Sequence, residues 1–250
     1  MKRVVIITGG GRGIGRALCR YFAEKGWDVC VADVSEERAQ KTAAEIRYAN
    51  SEPLPVRVDN RVIKDVKNMI SLCLSCFGHI DAVVNNAGVT DKKHRVIFDV
   101  PYRTWNDIIS VNLNGTFTCL KECGSIMKRQ GRGNIVNITS LLGQRGFTWA
   151  GNTAYGVSKA ALEALTAYAS DEFKEFGINV NSAYPGVMVG TGFFDYLDEV
   201  ERKKLASPAI LNELVYVLCC LGPSELSGKS FCVKDWKQDP ELKAFYLKYS

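Results

Sequence analysis

Short runs rich in apolar residues alternate with longer stretches of helical period along the whole chain. The runs fall at 4–8, 28–32, 54–58, 82–85, 134–138, 179–183 and 230–233. Each is four or five residues long, the length of a strand rather than a buried helix. Between them, helix-period stretches span 13–25, 35–48, 61–77, 102–129 and 153–176. Gly26 and Gly177 stand where a helix C′ residue belongs. Strands that alternate with helices build a parallel sheet covered on both faces. With right-handed crossovers the pattern predicts a doubly wound α/β fold, Rossmann-type, of about seven strands. No linker, repeat or low-complexity segment interrupts it, so residues 1–250 are expected to form a single domain.

Composition narrows the classes. The 250 residues are 46% hydrophobic, enough for a substantial core. The net charge of +5 is spread over scattered lysines and arginines, which does not imply nucleic acid. The run at 4–7 is far too short to span a membrane, and Met1-Lys2-Arg3 leads straight into it, so no signal peptide is expected. The nine cysteines are odd in number and irregular in spacing, which predicts free thiols in a reducing cytoplasm. Cys73 and Cys76 have no second pair to complete a zinc site, and they lie in an apolar helical stretch, so both read as core; Cys119 and Cys123 read the same way. His79 and His94 lack ligand partners at metal spacing, and no metal is expected.

Thr8-Gly9-Gly10-Gly11-Arg12-Gly13-Ile14-Gly15 closes the first strand and opens the first helix. Glycines there let the backbone approach a pyrophosphate, and the helix N-terminus offers free N–H groups and positive dipole. Asp33 stands eighteen residues beyond Gly15, at the end of the second strand. A carboxylate at that point accepts hydrogen bonds from ribose hydroxyls and repels a 2′-phosphate, which favours NAD. Arg12 pulls toward NADP, or pairs with Asp33 instead. Asp59 ends the third strand, as a partner for an adenine amino group or as a helix cap. Asn85-Asn86-Ala87-Gly88 ends the fourth, where a parallel sheet keeps its ligand crevice.

Tyr155 precedes Lys159 by four residues, which puts both on one helix face. An ammonium held near a phenol favours the phenolate, so the Tyr155 pKa is expected to fall from about 10 toward neutral. Tyr155 is then a candidate general acid/base. By itself the spacing also fits an ordinary amphipathic helix.

Taken in order, these residues resemble the one-domain branch of the short-chain dehydrogenase/reductase family. The likeness runs over about residues 3–233. The glycine run is similar to the family's Thr-Gly-x-x-x-Gly-x-Gly, and Asn85-Asn86-Ala87-Gly88 to its Asn-Asn-Ala-Gly. Ser140, Tyr155, Lys159 and Asn112 fall at its catalytic positions, and Pro185-Gly186 follows the sixth strand. The resemblance implies that Tyr155 exchanges a proton with the substrate oxygen while hydride moves to or from a nicotinamide. It implies that Ser140 bonds that oxygen and that Lys159 bonds the nicotinamide ribose and depresses the tyrosine pKa. Asn112 would hold a water that links Lys159 to solvent. Cofactor contacts are implied for Gly9, Arg12, Gly13, Ile14, Gly15, Asp33, Asp59, Asn86, Ala87, Gly88, Tyr155, Lys159, Pro185 and Gly186. The expected activity is hydride transfer between NAD(H), with NADP(H) as the alternative, and a small-molecule alcohol or carbonyl compound. A homo-oligomer, dimer or tetramer, is the expected assembly.

Three segments depart from the family pattern. The Ser140–Tyr155 interval is two residues longer, and loop 143–152 takes up the excess with Arg145, Phe147 and Trp149 as candidate pocket residues. Thr191 is displaced by one from the expected hydroxyl position, and the covering segment 192–208 is short and carries Phe193, Phe194 and Tyr196. The tail 234–250 is atypical: it is expected over a neighbouring subunit, over its own pocket, or frayed. Two other functions fit parts of the pattern. One is an NADP(H)-dependent ketoreductase of lipid or secondary metabolism. The other is a non-catalytic nucleotide-sensing protein, whose usual sign, loss of Tyr155 or Lys159, is absent.

Overall fold

The computed structural model of the chain describes residues 1–47 and 51–249. Seven strands, β1 (Val4–Thr8), β2 (Asp28–Asp33), β3 (Pro53–Arg57), β4 (Ala82–Asn85), β5 (Gly133–Ile138), β6 (Ile178–Tyr184) and β7 (Ser230–Cys232), form one sheet. Every pairing is parallel, and the order is β3-β2-β1-β4-β5-β6-β7. The order reverses between β1 and β4, so the crevice opens beyond the carboxyl ends of those two strands. Pro53 and Pro55 are tolerated because β3 is an edge strand, paired on one side only.

The strands read as apolar because both faces of the sheet are covered. On one face Val5, Ile7, Val29, Val31 and Val84 pack under helices α1 (Gly13–Glu24) and α2 (Glu36–Ile46), with Leu18, Phe22 and Ala39 buried between. On the other, Val4, Ile6, Cys30 and Val83 meet α3 (Ile63–Phe77) through Val66, Met69 and Cys73. Cys119, Cys123 and Met127 complete that face. The cysteines therefore pack as core, with one correction: Cys76 faces solvent, three residues round the helix from buried Cys73. Among the described residues, no helix is long and apolar enough to cross a membrane.

The stretch expected as one helix over 102–129 is interrupted. It runs as α4 (Tyr102–Ile109), a π turn over Ser110–Asn114, and α5 (Gly115–Gln130). The expected helix over 35–48 ends at Ile46, and its last expected residue, Tyr48, lies outside the described residues. Helix α6 (Thr153–Phe173) carries the tyrosine–lysine pair and closes in a 3-10 turn at Lys174–Phe176. Two further helices, α7 (Glu199–Arg202) and α8 (Asn212–Cys220), follow β6. The tail forms α9 (Pro240–Tyr249) and docks on its own chain beside α8. Trp236 and Leu242 are buried in the core on the α1 side, and Lys237 pairs with Glu213 of α8 at 2.7 Å.

Candidate active site

The glycine turn crosses from β1 to α1 with Gly9 and Gly13 at φ of 65° and 53°, which only glycine adopts freely. Gly15 must also lack a side chain, because a Cβ there would collide with the Gly9 carbonyl. The α1 N-terminus is left open: its N-cap, Arg12, makes no side-chain cap bond, and its first turn holds no acid. By contrast α2 is capped by Ser35 and begins with Glu36 and Glu37. Free N–H groups on a first turn that carries no acid of its own suit an anion, so the residues present fit a dinucleotide pyrophosphate.

Asp33 is buried and committed. It accepts from Gly11 N at 3.0 Å and Ser35 N at 2.9 Å, and from Arg38 Nε and Nη2 at 3.1 and 2.7 Å. Of the two roles open to Arg12, the pairing with Asp33 does not form. Arg12 instead lies against Gly192 and the covering segment, and α2 delivers Arg38 to the carboxylate. Asp59 is not a helix cap, since the α3 N-cap is Val62. Arg61 grips Asp59 from Nη2 at 2.6 Å and from Nε, and these hydrogen bonds hold the carboxyl below the usual range. Both aspartates line the main cavity, each with an arginine beside it.

Past β4, Thr8 Oγ1 accepts the N–H groups of Asn86 and Ala87 at 3.0 and 3.1 Å. The Asn86 amide donates to Thr8 O at 2.9 Å and Gly9 O at 3.3 Å, so it braces the glycine turn. Gly88 lies beside both Asn112 Oδ1 and Lys159 Nζ. Asn112 sits in the π turn, fully buried. It exchanges hydrogen bonds with the Val89 backbone at 2.8 and 3.0 Å and donates to Ser158 Oγ at 2.9 Å. Its side-chain amide is thereby spent on tying β4's loop to α6, and its backbone carbonyl accepts from Thr116 Oγ1 at 2.9 Å. π turns of this kind recur at functional sites.

Tyr155 and Lys159 share the inner face of α6 and line the cavity with Ser140. Ser140 caps the 3-10 turn Leu141–Gly143 after β5. The expected lowering of the tyrosine pKa is corrected. Burial pushes Tyr155 up to about 12, opposed by a hydrogen bond from Ser140. Burial also takes Lys159 down to about 8, opposed by the charge of Glu163. The Lys159 ammonium stands 5.7 Å from the tyrosine ring centroid and donates to Ile138 O at 2.7 Å. In the protein alone, removal from water outweighs the attraction that the spacing promised, and Tyr155 is a phenol.

These groups open into a cavity of about 700 Å³, ample for a cofactor with a small substrate. Pro185, Gly186, Thr191, Phe193 and Phe194 form its far wall. Phe193 meets Tyr155 edge-on, with ring centroids 5.8 Å apart. Of the loop residues, Trp149 lines the cavity, whereas Arg145 and Phe147 face solvent. Among the described residues, none of the tail lines it. Four contributors were missed in the sequence: Arg38, Glu163, His94 and Asn152. Two carried a signal, Glu163 four residues after Lys159 and Asn152 three before Tyr155, both at helix-face spacing.

Comparison with known proteins follows the same lines. The family model for short chain dehydrogenases matches residues 3–201. The chain is 35% identical over 190 residues to 3-oxoacyl-(acyl-carrier-protein) reductase FabG of Staphylococcus epidermidis, covering 76% of each. It is 35% identical over 187 residues to 2,5-dichloro-2,5-cyclohexadiene-1,4-diol dehydrogenase LinX of Sphingobium indicum, covering 74% of this chain and 73% of that protein. Among solved structures it resembles a short-chain type dehydrogenase/reductase from Mycobacterium marinum at TM-score 0.84 and 26% identity, over 92% of this chain and 93% of that one. Acetoin dehydrogenase YohF from Salmonella typhimurium matches at TM-score 0.81 and 29% identity, over 93% and 94%.

Proposed function

The chain belongs to the short-chain dehydrogenase family of NAD(P)-dependent oxidoreductases, and from that premise we propose that it moves a hydride between NAD(H) and an alcohol or ketone carbon, with Tyr155 exchanging the proton. One observation carries the reading. Tyr155, Lys159 and Ser140 open into the same cavity as a glycine turn whose helix N-terminus is free to take an anion.

In reduction, the Tyr155 hydroxyl gives its proton to the substrate oxygen while Ser140 holds that oxygen. Lys159, beside Gly88, binds the ribose edge, and its charge lowers the cost of the phenolate left on Tyr155. The nicotinamide, when bound, supplies or takes the hydride. Phe193 shields the transfer from water, and Asn112 keeps α6 in register with the loop after β4. Gly9, Gly13, Ile14 and Gly15 take the pyrophosphate, Asp33 the adenosine ribose and Asp59 the adenine side; Ala87, Pro185 and Gly186 wall the cofactor.

The Asp33 carboxylate supports NAD(H). Arg38 favours a second reading with NADP(H), because a half-exposed guanidinium bonded to Asp33 can also meet a 2′-phosphate. Relatives named for a 3-oxoacyl reductase and a diol dehydrogenase support a C–O substrate in either direction. Nine free cysteines suit a reducing cytoplasm. Phe117 on α5 and Val157 and Tyr168 on α6 stand exposed, which supports a homo-oligomer of this chain; sedimentation tests it. The function is tested by a screen of ketones and alcohols with both cofactors, read by nicotinamide absorbance. Absence of turnover throughout that screen would sink the reading.

A further inference from the structure

Residues 96–102 present an apolar surface that the fold does not use. Ile97 and Phe98 belong to a 3-10 turn, Ile97–Asp99, which Val96 opens and a hydrogen bond from Asp99 N to Val96 O closes at 2.9 Å. Pro101 then starts α4, with Tyr102 its first residue. Val96 and Ile97 are exposed, Phe98 is 94% exposed and Tyr102 88%. Side chains left this open contribute no burial to folding. Single exposed apolar residues are ordinary on a globular surface. Four large ones within seven residues, three of them consecutive, mark a contact surface.

Cations frame this tip. Residues 92–103 carry Lys92, Lys93, Arg95 and Arg103 against one acid, Asp99. Arg95 is spent on Asp91, with Nη1 at 2.9 Å from both carboxylate oxygens. The other three remain open to a ligand. Lys92 and Arg103 make only exposed contacts, at 4.0 Å, with Asp195 and Asp107, and such pairs contribute little. Lys93 is exposed and has no ion pair among the described residues.

An apolar tip with a tyrosine at its shoulder and cations around it matches the interfacial zone of a bilayer. There the acyl boundary takes apolar side chains, the head-group level suits tyrosine, and anionic head groups attract lysine and arginine. A second copy of this chain complements the tip less well. A two-fold contact centred on it sets the patch against its own copy, so cations would face cations.

We propose that segment 92–103 docks on an anionic lipid surface, with Ile97 and Phe98 entering the boundary between head groups and acyl chains and Lys92, Lys93 and Arg103 meeting head-group phosphates. The attachment is peripheral, in keeping with the absence of any membrane-crossing helix among the described residues. It does not depend on the reaction assigned to the cavity. The tip is bracketed in the chain by His94 and Thr104, which both line that cavity, so the bound surface lies beside its rim.

The test is co-sedimentation of the full chain with vesicles of phosphatidylcholine alone, and with about one third phosphatidylglycerol added. Binding to the anionic vesicles should be about tenfold tighter or more, and should be lost in about 0.5 M salt. Phe98→Ser removes apolar contact without touching charge, and should weaken that binding by about tenfold. Lys93→Gln should weaken it by about fivefold, the share of one cation at such a surface. Both side chains are exposed, so thermal unfolding should be unchanged. Lys41→Gln, which removes an exposed charge from α2, should have no effect. No binding to either vesicle, equal binding to both, or a loss in Lys41→Gln as large as in Lys93→Gln overturns the proposal. Phe98→Ser sedimenting as a smaller species without vesicles would assign the tip to a contact between copies, and would overturn it too.

Discussion

The Lys159 ammonium donates to the carbonyl oxygen of Ile138 at 2.7 Å and stands 5.7 Å from the centroid of the Tyr155 ring. It thus anchors α6 to the end of β5 from a position only 3% exposed. Burial without a carboxylate in contact lowers its pKa from 10.5 to about 8. Below pH 8 the folded chain carries the full cost of burying that charge. Between about 8 and 10.5 the folded lysine loses its proton while the unfolded one keeps it, so stability rises across that window. Tyr155 acts later and in reverse: from pH 10 to about 12 the unfolded tyrosine ionises first and stability falls.

Lys159→Met should therefore make the cofactor-free protein more stable at pH 7, by on the order of 2 kcal/mol after the lost bond to Ile138 is counted. The advantage should shrink as the pH climbs from 8 to 10. Urea denaturation of both proteins across that range measures it. A stability difference independent of pH would show that Lys159 is not the group that titrates. Turnover should be lost in the same variant, so the site holds this charge at the expense of the fold.

Tyr155→Phe should keep cofactor affinity and lose turnover by about three or more orders of magnitude, as expected when the acid/base is removed. Phe193 and the cavity wall still pack against the ring, so the fold should stand. Turnover within tenfold of wild type would remove Tyr155 from the mechanism.

Cofactor choice should move with Asp33 and Arg38. Asp33→Ser removes the carboxylate that would repel a 2′-phosphate and frees Arg38 to bind one. The ratio of kcat/KM for NADPH over NADH should rise by about tenfold to a hundredfold, the scale of one to two charge-assisted hydrogen bonds. Adding Arg38→Ala should cancel most of that gain. If the double variant prefers NADPH as strongly as the single one, the phosphate is held elsewhere, with Arg12 the next residue to change.

The strands were legible because a sheet covered on both faces writes itself as apolar runs, and Val4 and Ile6 on one side and Val5 and Ile7 on the other leave no polar position in β1 before Thr8 at its end. Helix α8 was not, for a related reason: buried along most of its length, it lacks the polar face that marks a helical period. Asn112 in the π turn is held by bonds to Val89 and Ser158, 23 and 46 residues away, which no local pattern encodes. The pairing of Asp33 with Arg38 depends on where α2 starts relative to β2. The direction of the Tyr155 shift depends on burial, and a four-residue spacing carries charge but not depth.

Glu163 offers the last test, because it acts on the site only through Lys159. It lies one turn beyond the lysine on α6, and its charge opposes the burial that lowers the lysine pKa. Three donors hold it: Ser182 Oγ at 2.6 Å, Gln144 Nε2 at 2.7 Å and Ser230 Oγ at 3.1 Å. These come from β6, from the lengthened loop and from β7, so the carboxylate also ties that loop and the edge of the sheet to α6. In Glu163→Gln the charge goes and the shape stays, and the Lys159 pKa should fall below about 8. In the proposed mechanism ketone reduction needs Lys159 protonated, so the alkaline limb of its kcat/KM profile, expected near pH 8 in the wild type, should move to lower pH. A purely structural role would lower activity at every pH alike. An unmoved alkaline limb would therefore assign Glu163 to the fold alone.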